Sequence, residues 1–157
     1  MKRYFFDTEF IEDGRTIDLI SIGIVCEDGR EFYAEVASTE IPWARAAPWV
    51  LANVRPHLRD GRKWAKADLG PAIVEFVTAG GDKPQFWAYV ADYDWVVFCQ
   101  LFGRMLDLPK GWPRFCMDLK QLTVEKGSPK LPDQVGTEHH ALADARWNRD
   151  VFAFLNS

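Results

Sequence analysis

The chain has 157 residues, 48% of them hydrophobic and 14% aromatic, which is enough to bury one sizeable core and too little to favour two independent ones. Charged residues of mixed sign make up 27%, which argues against a disordered chain, and no run of about 18 apolar residues predicts a membrane span. A formal net charge of −4 excludes a protein that coats long nucleic acid by charge alone, yet leaves room for an enzyme that grips a few nucleotides at a local site.

The expectation is therefore one globular domain over residues 1–157. The start, "MKRYFFDTEF", has basic residues and then an apolar run that is too short for a signal peptide and is cut by Asp7 and Glu9, so a cytoplasmic location is expected. Cys26, Cys99 and Cys116 are odd in number, far apart and set among apolar residues, a pattern of reduced, buried thiols rather than of disulfides or a zinc cluster.

In chain order, "KRYFFDTEF", "IDLISIGIVCE" and "REFYAEVA" read as strands, and the Asp-Gly connectors between them predict an antiparallel three-strand meander. "PWARAAPWVLANVRPHL" is helical in composition but broken by Pro48. "RPHLRDGRKWAK" follows, with Arg55, Arg59, Arg62, Lys63 and Lys66, and is read first as a solvated loop or helix end. "ADLGPAIVEFVTAGG" predicts a helix ending at its Gly pair. Strand and helix then alternate: "PQFWAYVA", "DYDWVVFCQLFGRML", "RFCMD" and "LKQLTVEKG". After the Pro-rich "SPKLPDQVG" comes a last helix, "HHALADARWNRDVFAFL". A meander followed by strand–helix alternation predicts an α/β fold, with antiparallel and parallel strands in one mixed sheet flanked by helices.

Within the first strand, side chains alternate, so Tyr4, Phe6 and Thr8 point one way and Phe5, Asp7 and Glu9 the other. Two carboxylates about 6.6 Å apart at an effective dielectric near 20 repel by roughly 2.5 kcal/mol, which a cation between them would relieve. We expect them at the C-terminal end of that strand, where later helices complete the site. On the helix from residue 92, Asp94 heads a stripe with Phe98, Leu101 and Met105, so it faces the sheet, whereas Asp92 is expected to cap the helix. On the last helix, Ala141, Asp144, Ala145, Asn148 and Phe152 share a face. His139 lies five positions before Asp144, about 140° away on a helix, and is therefore expected on the entering loop, with a titration range suited to a general base.

The ordered set "FDTEF", "YDWVVF" and "HHALADAR" resembles the three signature motifs of the DEDDh group of 3′→5′ exonucleases. The longer stretches "YFFDTEFIEDGRTIDLISIG", "WAYVADYDWVVFCQLFG", "PRFCMDLKQL" and "HHALADARWN" are similar to the bacterial ribonuclease AS family of polyadenylate-specific 3′→5′ exoribonucleases. The resemblance covers nearly the whole chain and implies a ribonuclease H-like fold. Val90 is a departure, because many DEDDh members carry Asn before the central Asp.

The resemblance further implies a metal-dependent enzyme that hydrolyses single-stranded RNA from its 3′ end to nucleoside 5′-monophosphates. Two Mg²⁺ or Mn²⁺ ions would be held by Asp7, Glu9, Asp94 and Asp144, with Asp7 bridging both, Glu9 and Asp144 completing the site that binds the nucleophilic water, and Asp94 holding the second ion. His139 would take the proton from that water. Phe10 is a candidate to pack on a base or sugar, with plain core packing as the competing reading. A homodimer is implied by resemblance alone. The rival readings are a DNA exonuclease on the same scaffold and a non-catalytic nucleic-acid-binding module.

Overall fold

A computed structural model describes residues 1–58, 63–136 and 139–157. Strands β1 (Lys2–Glu12), β2 (Ile17–Cys26) and β3 (Glu31–Glu35) form the antiparallel meander. A run of short turns holds the small helix α1 (Pro48–Asn53), and helix α2 (Lys66–Thr78) returns the chain to strand β4 (Pro84–Ala88). Helix α3 (Asp92–Gln100), the two-residue strand β5 (Met117–Asp118), helix α4 (Leu119–Glu125) and helix α5 (Ala141–Leu155) complete the order. The sheet runs β3-β2-β1-β4-β5, with β1/β4 and β4/β5 parallel. This is the mixed α/β sheet that the alternation of elements predicts.

The pleat of β1 divides the core as the alternation requires. Tyr4 and Phe6 are fully buried on one face with Leu69, Ile73 and Val77 of α2 and with Val97 and Phe98 of α3. Phe5 is buried on the other face with Trp87, Leu119 of α4, and Val151 and Leu155 of α5. Asp7 and Glu9 therefore emerge on the face covered by α5.

Two features of β1 shape the acidic site. The strand does not end at Glu9 but runs to Glu12, past a bulge where the register with β2 shifts between Glu9 and Phe10. Its pairing with β4, by contrast, covers only Lys2 to Phe5, so the expected strand end is instead a free edge. A free backbone edge needs other partners. Here Asn148 Nδ2, 1% exposed on α5, donates to the Phe6 carbonyl at 2.9 Å, and the Thr8 N–H donates to Asp94 Oδ1 at 2.9 Å. The helices on both faces are thus tied to the strand that carries the acidic pair.

Two expectations near α3 are corrected. Asp92 does not cap the helix: the N-cap is Ala91, whose N–H donates to Asp118 Oδ2 at 2.7 Å, while Asp118 Oδ1 accepts from the Gln121 N–H at 2.9 Å. One carboxylate at the end of β5 therefore serves the starts of both α3 and α4, leaving Asp92 exposed. The helix also stops at Gln100: Leu101, its C-cap, still packs on the core beside Phe98, but Met105 does not extend the stripe of Asp94 and Phe98. Gly103 turns the chain at a φ of 111°, and Met105 is 44% exposed.

Candidate active site

Gly23 of β2 lies directly opposite Asp7 of β1, and paired residues face the same side. A Cβ on Gly23 would stand 2.4 Å from the Leu142 backbone N and Cα and 2.5 Å from the Ala141 carbonyl carbon. The missing side chain lets the first turn of α5 rest on the sheet beside Asp7. Asp144, in that turn, is thereby brought to the acidic pair. Single ligand oxygens of Asp7, Glu9 and Asp144 lie within 4.8 Å of one another, the only such group of metal-ligating side chains among the described residues.

Asp94 stands just outside this triangle, 6% exposed, with Oδ1 accepting from both the N–H and the hydroxyl of Thr8. Its charge still reaches Asp7 and Glu9, whose carboxyls it pushes upward. His139 lies on the loop before α5, not within it, at a φ of 61°, and its ring meets Trp49 of α1 edge-on with centroids 4.7 Å apart. It lines a cavity of about 230 Å³ together with Asp7, Tyr89, Gln134, Asp144 and Trp147. Phe10 sits past the bulge, half-buried against the α3 side of the core and edge-on to Tyr93 at 5.9 Å.

Burial is the first cause of the carboxyls' behaviour, and for Asp7 and Glu9 mutual repulsion is the second. Asp7 is held well above the ordinary carboxylate range by desolvation and then by Asp94, Asp144 and Glu9. Glu9 is pushed up to about 8 by desolvation, then by Asp144 and Asp94. Asp94 reaches about 6, because the bonds from Thr8 offset part of its desolvation. The donor set is all oxygen, acidic and partly desolvated, which fits a hard divalent cation better than zinc.

These shifts set a pH dependence for the metal-free protein. The ordinary value for Glu9 is 4.5 and its folded value about 8, so the folded state holds a proton that the unfolded chain has released. The resulting stability is complete below about pH 4.5 and is lost as pH rises through 8. In a chelator, stability is expected to fall by on the order of 2 to 3 kcal/mol between pH 5 and pH 8, with Mg²⁺ or Mn²⁺ reversing the loss most strongly at the alkaline end. Thermal melts across that range check it, and a flat profile in chelator would contradict the assignment.

Several residues at the site carried no sequence signal. Gln134 Nε2 donates to Asp144 Oδ1 from within the Pro-rich segment, where nothing local distinguishes it. Tyr89 reaches the cavity from the turn after β4, and Trp49 reaches His139 from α1. His140, the buried N-cap of α5, stacks on Tyr33 at 4.6 Å and anchors the loop that carries its neighbour. Of the basic stretch 55–66, Arg55 lies over the Trp43 ring at 5.0 Å, Lys63 pairs with Glu35, and Lys66 pairs with Asp18 at 3.4 Å; Arg59 and Arg62 lie outside the described residues.

Residue 90 is in the left-handed region at a φ of 55°. Asn tolerates that conformation and a β-branched residue does not, so Val90 strains the turn at a cost of roughly 1 to 2 kcal/mol.

With this geometry in place, comparisons with known proteins are consistent in kind. Residues 2–155 match the family described as the 3′-5′ exoribonuclease Rv2179c-like domain. The chain is 47% identical to 3′-5′ exoribonuclease Rv2179c of Mycobacterium tuberculosis strain H37Rv, over 99% of this chain and 94% of that protein, and equally to its counterpart MT2234.1 in strain CDC 1551. A solved structure of S. pombe Pop2p in its Mg²⁺- and Mn²⁺-bound form superposes with a TM-score of 0.68 at 14% identity, covering 99% of this chain and 82% of that one. The last likeness concerns the fold, which is ribonuclease H-like. No helix among the described residues is long and apolar enough to cross a membrane. A mixed sheet with acids gathered at its free strand edge, matched by relatives nearly end to end, places this chain in the Rv2179c-like 3′-5′ exoribonuclease family.

Proposed function

We propose that the protein is a metal-dependent exonuclease acting on the 3′ end of single-stranded RNA, poly(A) tails among its substrates, and that it releases nucleoside 5′-monophosphates by a two-ion mechanism. The observation that carries this reading is the convergence of Asp7, Glu9 and Asp144 within 4.8 Å, with Asp94 beside them and His139 on the same cavity. Asp7, Glu9, Asp94 and Asp144 would hold two divalent ions, Mg²⁺ or Mn²⁺. Such ions supply Lewis acidity toward the phosphoryl oxygens, a more acidic water, and charge relief at the departing 3′ oxygen.

The chain's own residues do the rest. Asp94 is fixed by Thr8, so its free oxygen is presented in one orientation. Gln134 does the same for Asp144 from the opposite wall. His139 accepts the proton of the attacking water on an imidazole nitrogen, and the edge of Trp49 limits how its ring can turn. Tyr89 and Trp147 wall the cavity beside Asp7 and Asp144. His139→Ala is expected to slow turnover by roughly 10²- to 10⁴-fold while Mn²⁺ binding, measured by calorimetry, stays within about twofold. Loss of Mn²⁺ affinity instead would make His139 a ligand and remove the base. A homodimer and a cytoplasmic location belong to the same reading, by resemblance.

The deciding experiment incubates 5′-labelled poly(A), mixed-sequence RNA and DNA with the protein, with and without Mg²⁺. The expected result is a one-nucleotide ladder shortening from the 3′ end, only with metal and faster on RNA. Faster DNA cleavage would overturn the substrate class, and equal rates on both RNAs would remove the preference for poly(A).

A further inference from the structure

The catalytic cavity, at about 230 Å³, is smaller than the roughly 300 to 1,000 Å³ of ordinary small-molecule sites, so it takes no more than the terminal nucleotide of a strand. The rest of an RNA substrate must leave along the surface. A second and larger groove, about 640 Å³, opens on the other side of the turn after β4: Tyr89 lines the catalytic cavity, and the next residue, Val90, lines the groove. The strained turn at Val90 is thus the ridge between them.

The groove has the chemistry of a single-strand path. Arg114 makes no hydrogen bond or ion pair among the described residues, and Lys120 finds no carboxylate there but lies 5.9 Å over the ring of Tyr89, at the border with the catalytic cavity. Phe115 is 61% exposed, Val124 57% and Val90 52%, an apolar surface interleaved with the two cations. On the floor, the Nε1–H of Trp95 is buried with no hydrogen-bond partner among the described residues. Of the two acids at the groove, Asp118 is occupied by the N–H groups of Ala91 and Gln121, and Asp92 stands at the exposed rim. In a protein of net charge −4, two cations without a carboxylate partner among the described residues, beside open aromatic and aliphatic surface, match what an RNA backbone and its bases require.

From these observations we infer that the groove bounded by Val90, Trp95, Arg114, Phe115, Lys120 and Val124 binds the RNA nucleotides just upstream of the scissile phosphate. Arg114 and Lys120 take the phosphates, and Phe115 packs against a base. The inference rests on the exoribonuclease reading of the carboxylate site and names how that site holds the remainder of its substrate.

The test compares wild type with Arg114→Ala, Arg114→Lys, Lys120→Ala and Phe115→Ala on an RNA dinucleotide and an RNA decamer. Binding of labelled decamer is followed by fluorescence anisotropy in chelator, and mass by light scattering. Each alanine variant is expected to raise the decamer's KM about tenfold more than the dinucleotide's, and Arg114→Lys to recover part of the loss. Decamer binding in chelator should weaken in parallel, with a shallower salt dependence for the two cation variants. Equal effects on both substrates, or none on either, would overturn the groove assignment. So would a change of mass in Phe115→Ala, which would make this face a contact between copies of the chain. Wild type that binds the decamer through these residues but hydrolyses no RNA would sink the catalytic reading and leave the groove standing.

Discussion

Asp7→Ala is expected to reduce RNA hydrolysis by roughly 10³-fold or more, a loss of about 4 kcal/mol of transition-state stabilisation, while the protein stays folded. Asp7 is the acid that all three others repel, since Asp94, Asp144 and Glu9 each raise its carboxyl. On the proposed two-ion reading Asp7 would be the ligand shared by both ions, and without metal its carboxylate is the one raised by all three neighbouring acids. In chelator the variant should therefore melt no lower than wild type, because removing the carboxylate relieves repulsion and desolvation together. Calorimetry should also show weaker Mn²⁺ binding. Near-normal turnover would falsify the central role of Asp7, and a collapse of the fold in chelator would show that the carboxylate has a structural partner instead.

Gly23→Ala is expected to damage both stability and activity although Gly23 bears no functional group. Its Cβ would meet backbone atoms of Leu142 at 2.4 Å, against an ordinary contact of 3.4 Å or more, so α5 must move by about 1 Å. Backbone cannot swing aside as a long side chain does, and overpacking of this kind costs roughly 1 to 3 kcal/mol. The same shift withdraws Asp144 from Asp7 and Glu9. Misplacement on that scale costs about 10²-fold in rate. Thermal denaturation with turnover at saturating Mg²⁺ checks both effects. A variant with unchanged melting temperature and rate would mean that α5 does not rest on β2 as described.

The contrast between these two sites shows what kind of information lies where. Asp7 and Glu9 were legible from the period of a strand alone, as was the inward stripe of Asp144 and Asn148 on the last helix, because such periodicities are local. The placement of His139 on the entering loop followed from the same helical arithmetic. The expectation for Asp92 fails because a distant segment intervenes. Asp92 was the plausible cap for its own helix, but Asp118, from a strand 26 residues on, already held the Ala91 N–H that opens it. The stripe of Asp94 does not run on to Met105, because Gly103, within the same segment, turns the chain away.

By itself, the amino-acid sequence determined the element order, the mixed sheet, the inward faces of the first strand and the last helix, and the candidate acids in their motifs. Only the tertiary structure decided that β4 leaves β1 after Phe5, that Asn148 and Asp94 take up the backbone edge so exposed, that Gly23 is the seat of α5, and that Gln134 reaches Asp144. The reason is physical. A side chain's direction within its own strand or helix depends on the dihedral period of that element, whereas close approach and hydrogen-bond partnership depend on how elements far apart in the chain come to pack.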